Sequence, residues 1–106
     1  MSRLHHPGPD EIDLISVLHA LADPVRLSIV TALADGQEHP CGGFDCGITK
    51  ASLSHHFRVL RESGVTTTRQ EGKHRLISLR HADLEHRFPG LIDPLIRAAG
   101  PTPPAA

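Results

Sequence analysis

Residues 49–64 read Thr-Lys-Ala-Ser-Leu-Ser-His-His-Phe-Arg-Val-Leu-Arg-Glu-Ser-Gly, and the reading of this stretch decides the fold. Thr49 has the side chain of a helix N-cap, and Ile48 just before it stands at hydrophobic-staple spacing from Leu53. Leu53, Phe57 and Leu60 recur at i, i+4 and i+7, which places them on one buried stripe. Gly64 supplies the left-handed residue that ends such a helix. The opposite face carries Lys50, Ser52, Ser54, His55, Arg58 and Arg61, all hydrogen-bond donors and none negative. A helix with an apolar back and a short-polar, cationic front fits a DNA groove. An ordinary surface helix with a solvated basic face has the same pattern, so the stretch alone leaves both readings open.

Downstream the period changes from helical to alternating. Residues 65–69 predict a strand, residues 70–73 a turn, and residues 74–79 a returning strand with Leu76, Ile77 and Leu79. The tip and flanks of this hairpin hold Arg69, Lys73, His74 and Arg75. A basic hairpin directly after a basic helix is the order of a winged helix-turn-helix, in which the helix enters the major groove and the wing follows the backbone or the minor groove. Upstream, residues 37–47 contain three Gly and one Pro, too many for a long helix. A short turn around Phe44 and Asp45 is expected there, with Phe44 tucked into the core.

Further out, residues 10–21 form a helix whose apolar residues (Ile12, Leu14, Ile15, Val17, Leu18, Leu21) cover more than one face. In so small a domain a second subunit is the natural cover. Asp23-Pro24 starts a second helix that runs to residue 34. Its one cation, Arg26, is expected to pair with an acidic neighbour or to meet a phosphate. Beyond the hairpin, residues 84–88 form a helical turn and a last helix begins near Pro89. Leu91, Ile92, Leu95 and Ile96 give that helix an apolar face, a partner for the first helix in a homodimer. The expected organisation is a flexible arm over residues 1–9, a mainly α domain with a β-hairpin wing over 10–98, and a disordered tail over 99–106.

The totals bound the function classes. A chain of 106 residues makes one domain with one modest core, which must be mainly aliphatic because Trp and Tyr are absent and only three Phe are present. No stretch approaches the roughly 20 apolar residues of a membrane span. The N-terminus lacks the apolar core of a secretion signal, so a cytoplasmic location is expected, and the two cysteines do not suggest a disulfide framework. The net charge of −1 conceals a segregation. Residues 1–48 carry two basic and seven acidic side chains, a balance of −5. Residues 49–80 carry seven basic (Lys50, Arg58, Arg61, Arg69, Lys73, Arg75, Arg80) and two acidic (Glu62, Glu71), a balance of +5. Local basic patches bind nucleic acid whatever the total charge.

Two stretches then carry a family resemblance. Leu-Ala-Asp-Pro-Val-Arg-Leu at 21–27 and Ser-Leu-Ser-His-His-Phe-Arg-Val-Leu-Arg-Glu-Ser-Gly at 52–64 resemble the ArsR/SmtB family of bacterial transcriptional regulators, with the match spanning residues 12–96. The resemblance implies a homodimeric winged helix, joined through helices at both chain ends, that binds a palindromic operator as a repressor. Many members release DNA when they sense a metal ion or a thiol oxidation. On this pattern Ser52, Ser54 and His55 would lie nearest to base edges, and Lys50, Arg58, Arg69, Lys73 and Arg75 would contact phosphates. His56, at the family's usual histidine position, would touch phosphate or support the helix.

The chain departs from the family's metal sites. One familiar site places a Cys-x-Cys pair on the helix before the recognition helix, whereas Cys41 and Cys46 stand five apart in a Gly-rich stretch, which makes the first half of the helix-turn-helix irregular. The other uses Asp and His on the last helix, paired across the dimer. Here His81, Asp83, Glu85 and His86 cluster in sequence, with Asp93 the one candidate for a distal partner. Three sensing chemistries stay open: Cys41 and Cys46, with His39 or Asp45, binding zinc or nickel; a reversible Cys41–Cys46 disulfide; and a metal held by His81, Asp83 and His86. The plain alternative is inert cysteines and solvated or packed histidines, with regulation by a partner protein or abundance, or an activating rather than repressing role. Catalysis is disfavoured: no phosphate-binding Gly loop follows a strand, and neither a Gly-x-Ser-x-Gly nor a Cys-x-x-Cys motif occurs. A wing serving protein–protein contact would need apolar residues where this chain has Ser, Lys and Arg.

Overall fold

The computed structural model describes residues 5–44 and 47–100; Asp45 and Cys46, and the two chain ends, lie outside the described residues. Asp13 begins α1 (Leu14–Leu21) by accepting the Ser16 N–H at 2.9 Å. The helix starts later than expected because Pro9–Glu11 form a separate 3-10 turn and Ile12 adopts extended backbone, dropping its side chain fully into the core. Asp23 caps α2 (Pro24–Ala32), its carboxylate accepting from the N–H groups of Val25 and Arg26. A 3-10 turn, Leu33–Asp35, and left-handed Gly36 close it.

Residues 39–40 form a short strand, β1 (His39–Pro40), which the sequence reading lacked. It pairs antiparallel with β3 (His74–Leu79), and β3 pairs on its other side with β2 (Thr66–Glu71), giving the order β1-β3-β2. The hairpin runs in register from Thr66 opposite Leu79 to Glu71 opposite His74, and Gly72 at φ 61° turns the chain. A 3-10 turn spans Cys41–Gly43, and the turn expected around Phe44 and Asp45 falls partly outside the described residues. Phe44 is half-buried at the edge of the core, its ring edge-on to Phe57 at 5.7 Å.

The stretch of residues 49–64 is α3 (Lys50–Glu62), with the Thr49 hydroxyl accepting the Ser52 N–H at 3.1 Å. Leu60 and Phe57 are buried and Leu53 packs against them from the margin. Burial of a side chain such as Leu60 contributes about 1.5–3 kcal/mol. Ile12, Val17, Ile29, Val30, Leu33, Val65, Ile77, Leu84 and Ile92 complete a core that is almost wholly aliphatic. After the sheet come α4 (His81–Arg87) and α5 (Ile92–Ala99); α5 starts at Ile92 rather than near Pro89 because Gly90, at φ 78°, holds the break open.

Residues 5–9, expected as part of a flexible arm, run along the end of α3 and the edge of β2. Arg61 Nε donates to the His5 carbonyl (3.2 Å), the Thr68 N–H donates to His6 Nε2 (3.0 Å), and Arg80 Nη1 donates to the Pro7 carbonyl (2.8 Å). Among the described residues no single helix is long and apolar enough to cross a membrane.

Candidate nucleic-acid interface

The core stripe of α3 turns its other face outward, so Lys50, Ser52, Ser54, His55 and Arg58 are all exposed. Lys50, Arg58 and Lys73 have no ion pair or hydrogen bond among the described residues. The hairpin brings Arg75, near its tip, against this helix: Ser54, His55, Arg58, Arg61 and Arg75 line one shallow depression. Arg75 also accepts positioning from Gln70, whose Oε1 takes the Arg75 Nε–H at 3.2 Å. A cationic helix face and a cationic wing are thus contiguous, as phosphate contacts on both sides of a groove require.

Arg69 and Arg26 are placed differently from expectation, and His56 takes the second of its two open roles. His56 turns inward: its Nδ1 lies 3.0 Å from Arg26 Nη1 and 3.9 Å from the Asp23 carboxylate, so it supports the helix instead of facing DNA. Arg69 is engaged by Glu38 through two hydrogen bonds, 2.6 and 2.8 Å, and lies 3.5 Å from Glu71. The bidentate Arg69 contact holds the Glu38 carboxyl below its ordinary range, and Glu38 in turn raises the Arg69 guanidinium. Arg69 is therefore a neutralised cation, unlike Arg58. Arg26 neither meets phosphate nor forms the expected ion pair. It is 8 % exposed and donates to the carbonyls of Ala20 (2.6 Å) and His19 (3.2 Å) at the end of α1. Neither Glu38 nor His19 is legible as a partner in the sequence, because both contacts depend on tertiary placement.

The expected metal groups are also rearranged. Asp83 pairs with Arg80 at 2.9 Å, and His86 joins no cluster; residues two and five positions apart on a helix do not share a face. The group that does converge is His81, Glu85 and Asp93, with donor atoms all within 4.8 Å of one another. His81 Nε2 lies 2.9 Å from Asp93 Oδ1, Glu85 Oε2 accepts the Gly90 N–H, and Glu85 Oε1 is buried without a partner. Arg97 lines the same depression as His81 and Asp93, which opposes a cation there. Glu85, at i+4 from His81, was the readable signal for this group. Cys41 carries a free, half-buried thiol; burial pushes it above the ordinary thiol range, partly offset by Arg75 and Arg61. It is a protonated thiol and a poor nucleophile. Its expected partner Cys46 lies outside the described residues.

An N-terminal pair of helices, a helix-turn-helix with an exposed cationic recognition helix, and a basic hairpin define a winged-helix DNA-binding domain. Residues 21–69 match a family model described as a helix-turn-helix domain. The chain is 38 % identical over 82 residues to the uncharacterized HTH-type transcriptional regulator YceK of Bacillus subtilis, covering 74 % of this chain and 82 % of that protein. It is 31 % identical over 75 residues to the arsenical resistance operon repressor of Staphylococcus xylosus, covering 70 % and 72 %. Among solved structures it resembles the transcriptional repressor BigR from Xylella fastidiosa, with a TM-score of 0.62 and 32 % identity over 81 % of each chain. The chain belongs to the ArsR/SmtB family of winged helix-turn-helix transcriptional regulators, a family of DNA-binding proteins and not of enzymes.

Proposed function

We propose that this regulator is a homodimeric repressor that binds a palindromic operator in the cytoplasm, α3 reading the major groove and the hairpin holding the flanking backbone. The observation that carries the reading is the α3 face itself: Lys50 and Arg58 unpaired beside Ser52, Ser54 and His55, with Arg75 of the wing brought against them. The repressor role follows the relatives named as repressors. Dimerisation is supported by α1, where Leu14 (40 % exposed), Ile15 (70 %) and Leu18 (40 %) form an uncovered apolar row. A palindrome requires two α3 helices one helical turn of DNA apart, which calls for a second copy of this chain. As for the signal, His81, Glu85 and Asp93 bring their donor atoms within 4.8 Å of one another, and they are the residues at which zinc or nickel would bind.

The test is a band-shift titration on the promoter of the protein's own operon at several salt concentrations, with light scattering on the free protein. Steeply salt-dependent binding by a particle of twice 11.5 kDa is expected. Salt-independent binding, or a monomer at micromolar concentration, overturns the reading.

A further inference from the structure

Between the Cys41–Gly43 turn, the first turns of α3 and the sheet lies a cavity of about 330 Å3. Its floor is apolar: Phe44 and Phe57 in edge-on contact, with Leu53 beside them. The Cys41 thiol, kept protonated by burial, adds neutral wall and no negative charge. Its mouth is cationic, with Lys50, Arg61 and Arg75 around it and no acidic residue among the described lining. Thr68 lines the inner wall, and its hydroxyl is buried without a hydrogen-bond partner. Rotation about χ1 exchanges that hydroxyl with the methyl group and would turn it to the cavity.

We propose that this cavity binds a small organic anion, a carboxylate on an aromatic or short branched body. The apolar body lies on Phe44, Leu53 and Phe57, and the carboxylate meets Arg61 and Arg75, with the Thr68 hydroxyl as a further donor. An inorganic anion leaves the floor unused, a neutral ring makes no use of the Arg61 and Arg75 charges, and a DNA phosphate fixed in its backbone does not reach the floor. A site with an apolar majority and a few convergent polar groups is what small-ligand pockets of this size present. Lys50, Ser54 and Arg75 belong both to this cavity and to the face argued above to meet DNA. An occupant therefore draws cations away from phosphate, and it weakens operator binding; this second step rests on the DNA-binding reading. The occupant also competes for Arg61, which otherwise donates to the His5 carbonyl.

The experiment is a titration of the reduced, full-length, DNA-free protein with benzoate, benzyl alcohol and inorganic phosphate, followed by amide resonances. Benzoate should shift Leu53, Phe57 and Thr68 saturably, at least tenfold more tightly than either control. Thr68→Val keeps the shape, removes a hydroxyl with no partner, and should fold as well as the parent. It should weaken benzoate about tenfold, the loss of one hydrogen bond to a charged group. Absence of saturable shifts, equal binding of benzyl alcohol or phosphate, or an unaltered Thr68→Val affinity overturns the proposal. In a band-shift, benzoate should release operator DNA from the parent at concentrations that leave the Thr68→Val complex intact. Binding without release overturns the coupling alone, and because the titration contains no DNA it stands apart from any failure of the operator reading.

Discussion

Arg26 of α2 donates from Nη1 to His56 Nδ1 of α3 across 3.0 Å, while its Nε and Nη2 hold the Ala20 and His19 carbonyls at the end of α1. A guanidinium only donates, so His56 Nδ1 is the acceptor and its ring proton sits on Nε2. The His19 carbonyl also accepts the Ala22 N–H at the helix cap (3.2 Å), and a cation there opposes the negative end of the helix dipole. One buried side chain thus ties three helices together, and the third carries the DNA-facing residues.

Arg26→Ala is therefore expected to cost about 2–4 kcal/mol, because it removes the donor that holds the Ala20 carbonyl and His56 Nδ1 and loses a further bond to His19. Arg26→Lys should recover little of that, since a single ammonium cannot reproduce a fork spanning three acceptors. Urea melts of the two variants measure it. A loss below about 1 kcal/mol for Arg26→Ala, the range of an ordinary surface substitution, would remove Arg26 from this role.

What the sequence made legible was local. Thr49, the Leu53–Phe57–Leu60 stripe and Gly64 mark α3 within a single stretch, and the alternation of residues 65–79 marks the hairpin. What it concealed depends on distant pairing. Two residues, His39 and Pro40, are too short to show a strand period, and they become β1 only because β3 offers an open edge. Arg69 reads as a phosphate contact until Glu38, far back in the chain, is folded against it. His81, Asp83 and His86 look clustered in sequence, yet helical geometry separates them and brings Glu85 and Asp93 in instead.

Gly64 is held at φ 89°, and a Cβ there would lie 2.6 Å from Ile12 Cγ1. Gly64→Ala combines backbone strain with displacement of a fully buried side chain and should cost about 2–4 kcal/mol. Shortening the obstructing residue relieves part of this. The double variant with Ile12→Ala should be less destabilised than the two single losses added, by about 1 kcal/mol. Strict additivity would show that the close approach is not the cause.

Asp23 gives a pH dependence with a defined sign. Its carboxyl is lowered, first by the Arg26 backbone N–H and further by the Arg26 guanidinium and the Val25 N–H, against some opposing burial. A group whose folded value lies below its unfolded one stabilises above the unfolded value, about pH 4, and loses that contribution as pH falls through the folded value. Asp35 is lowered too, chiefly by the Gln37 N–H, and adds to the same acid limb. Asp23→Asn keeps a capping oxygen and should flatten the limb below about pH 4 while costing less at neutral pH than Asp23→Ala, for which about 0.5–2 kcal/mol is expected. Urea midpoints at neutral and acid pH compare them; an unchanged acid limb in Asp23→Asn would contradict the assignment.

Arg58 and Arg69 separate a free cation from a neutralised one on the DNA face. Arg58 is exposed and has no partner among the described residues, so it can neutralise a phosphate and release a counterion. Arg58→Ala should lower the slope of log affinity against log salt by about 0.9, the increment for one phosphate on duplex DNA, and weaken binding similarly across sequences. Arg69 already shares two hydrogen bonds with Glu38, so Arg69→Ala should change the slope far less, because Glu38 loses its partner as the phosphate loses its own. Glu38→Gln removes the competing charge and leaves Arg69 available; affinity at low salt should rise and the slope steepen by up to one phosphate. Band-shift titrations of the three variants over a range of salt decide the matter. If Arg69→Ala lowers the slope as much as Arg58→Ala, the guanidinium leaves Glu38 on binding and the ion pair is a resting state of the wing instead of a fixed strut beneath it.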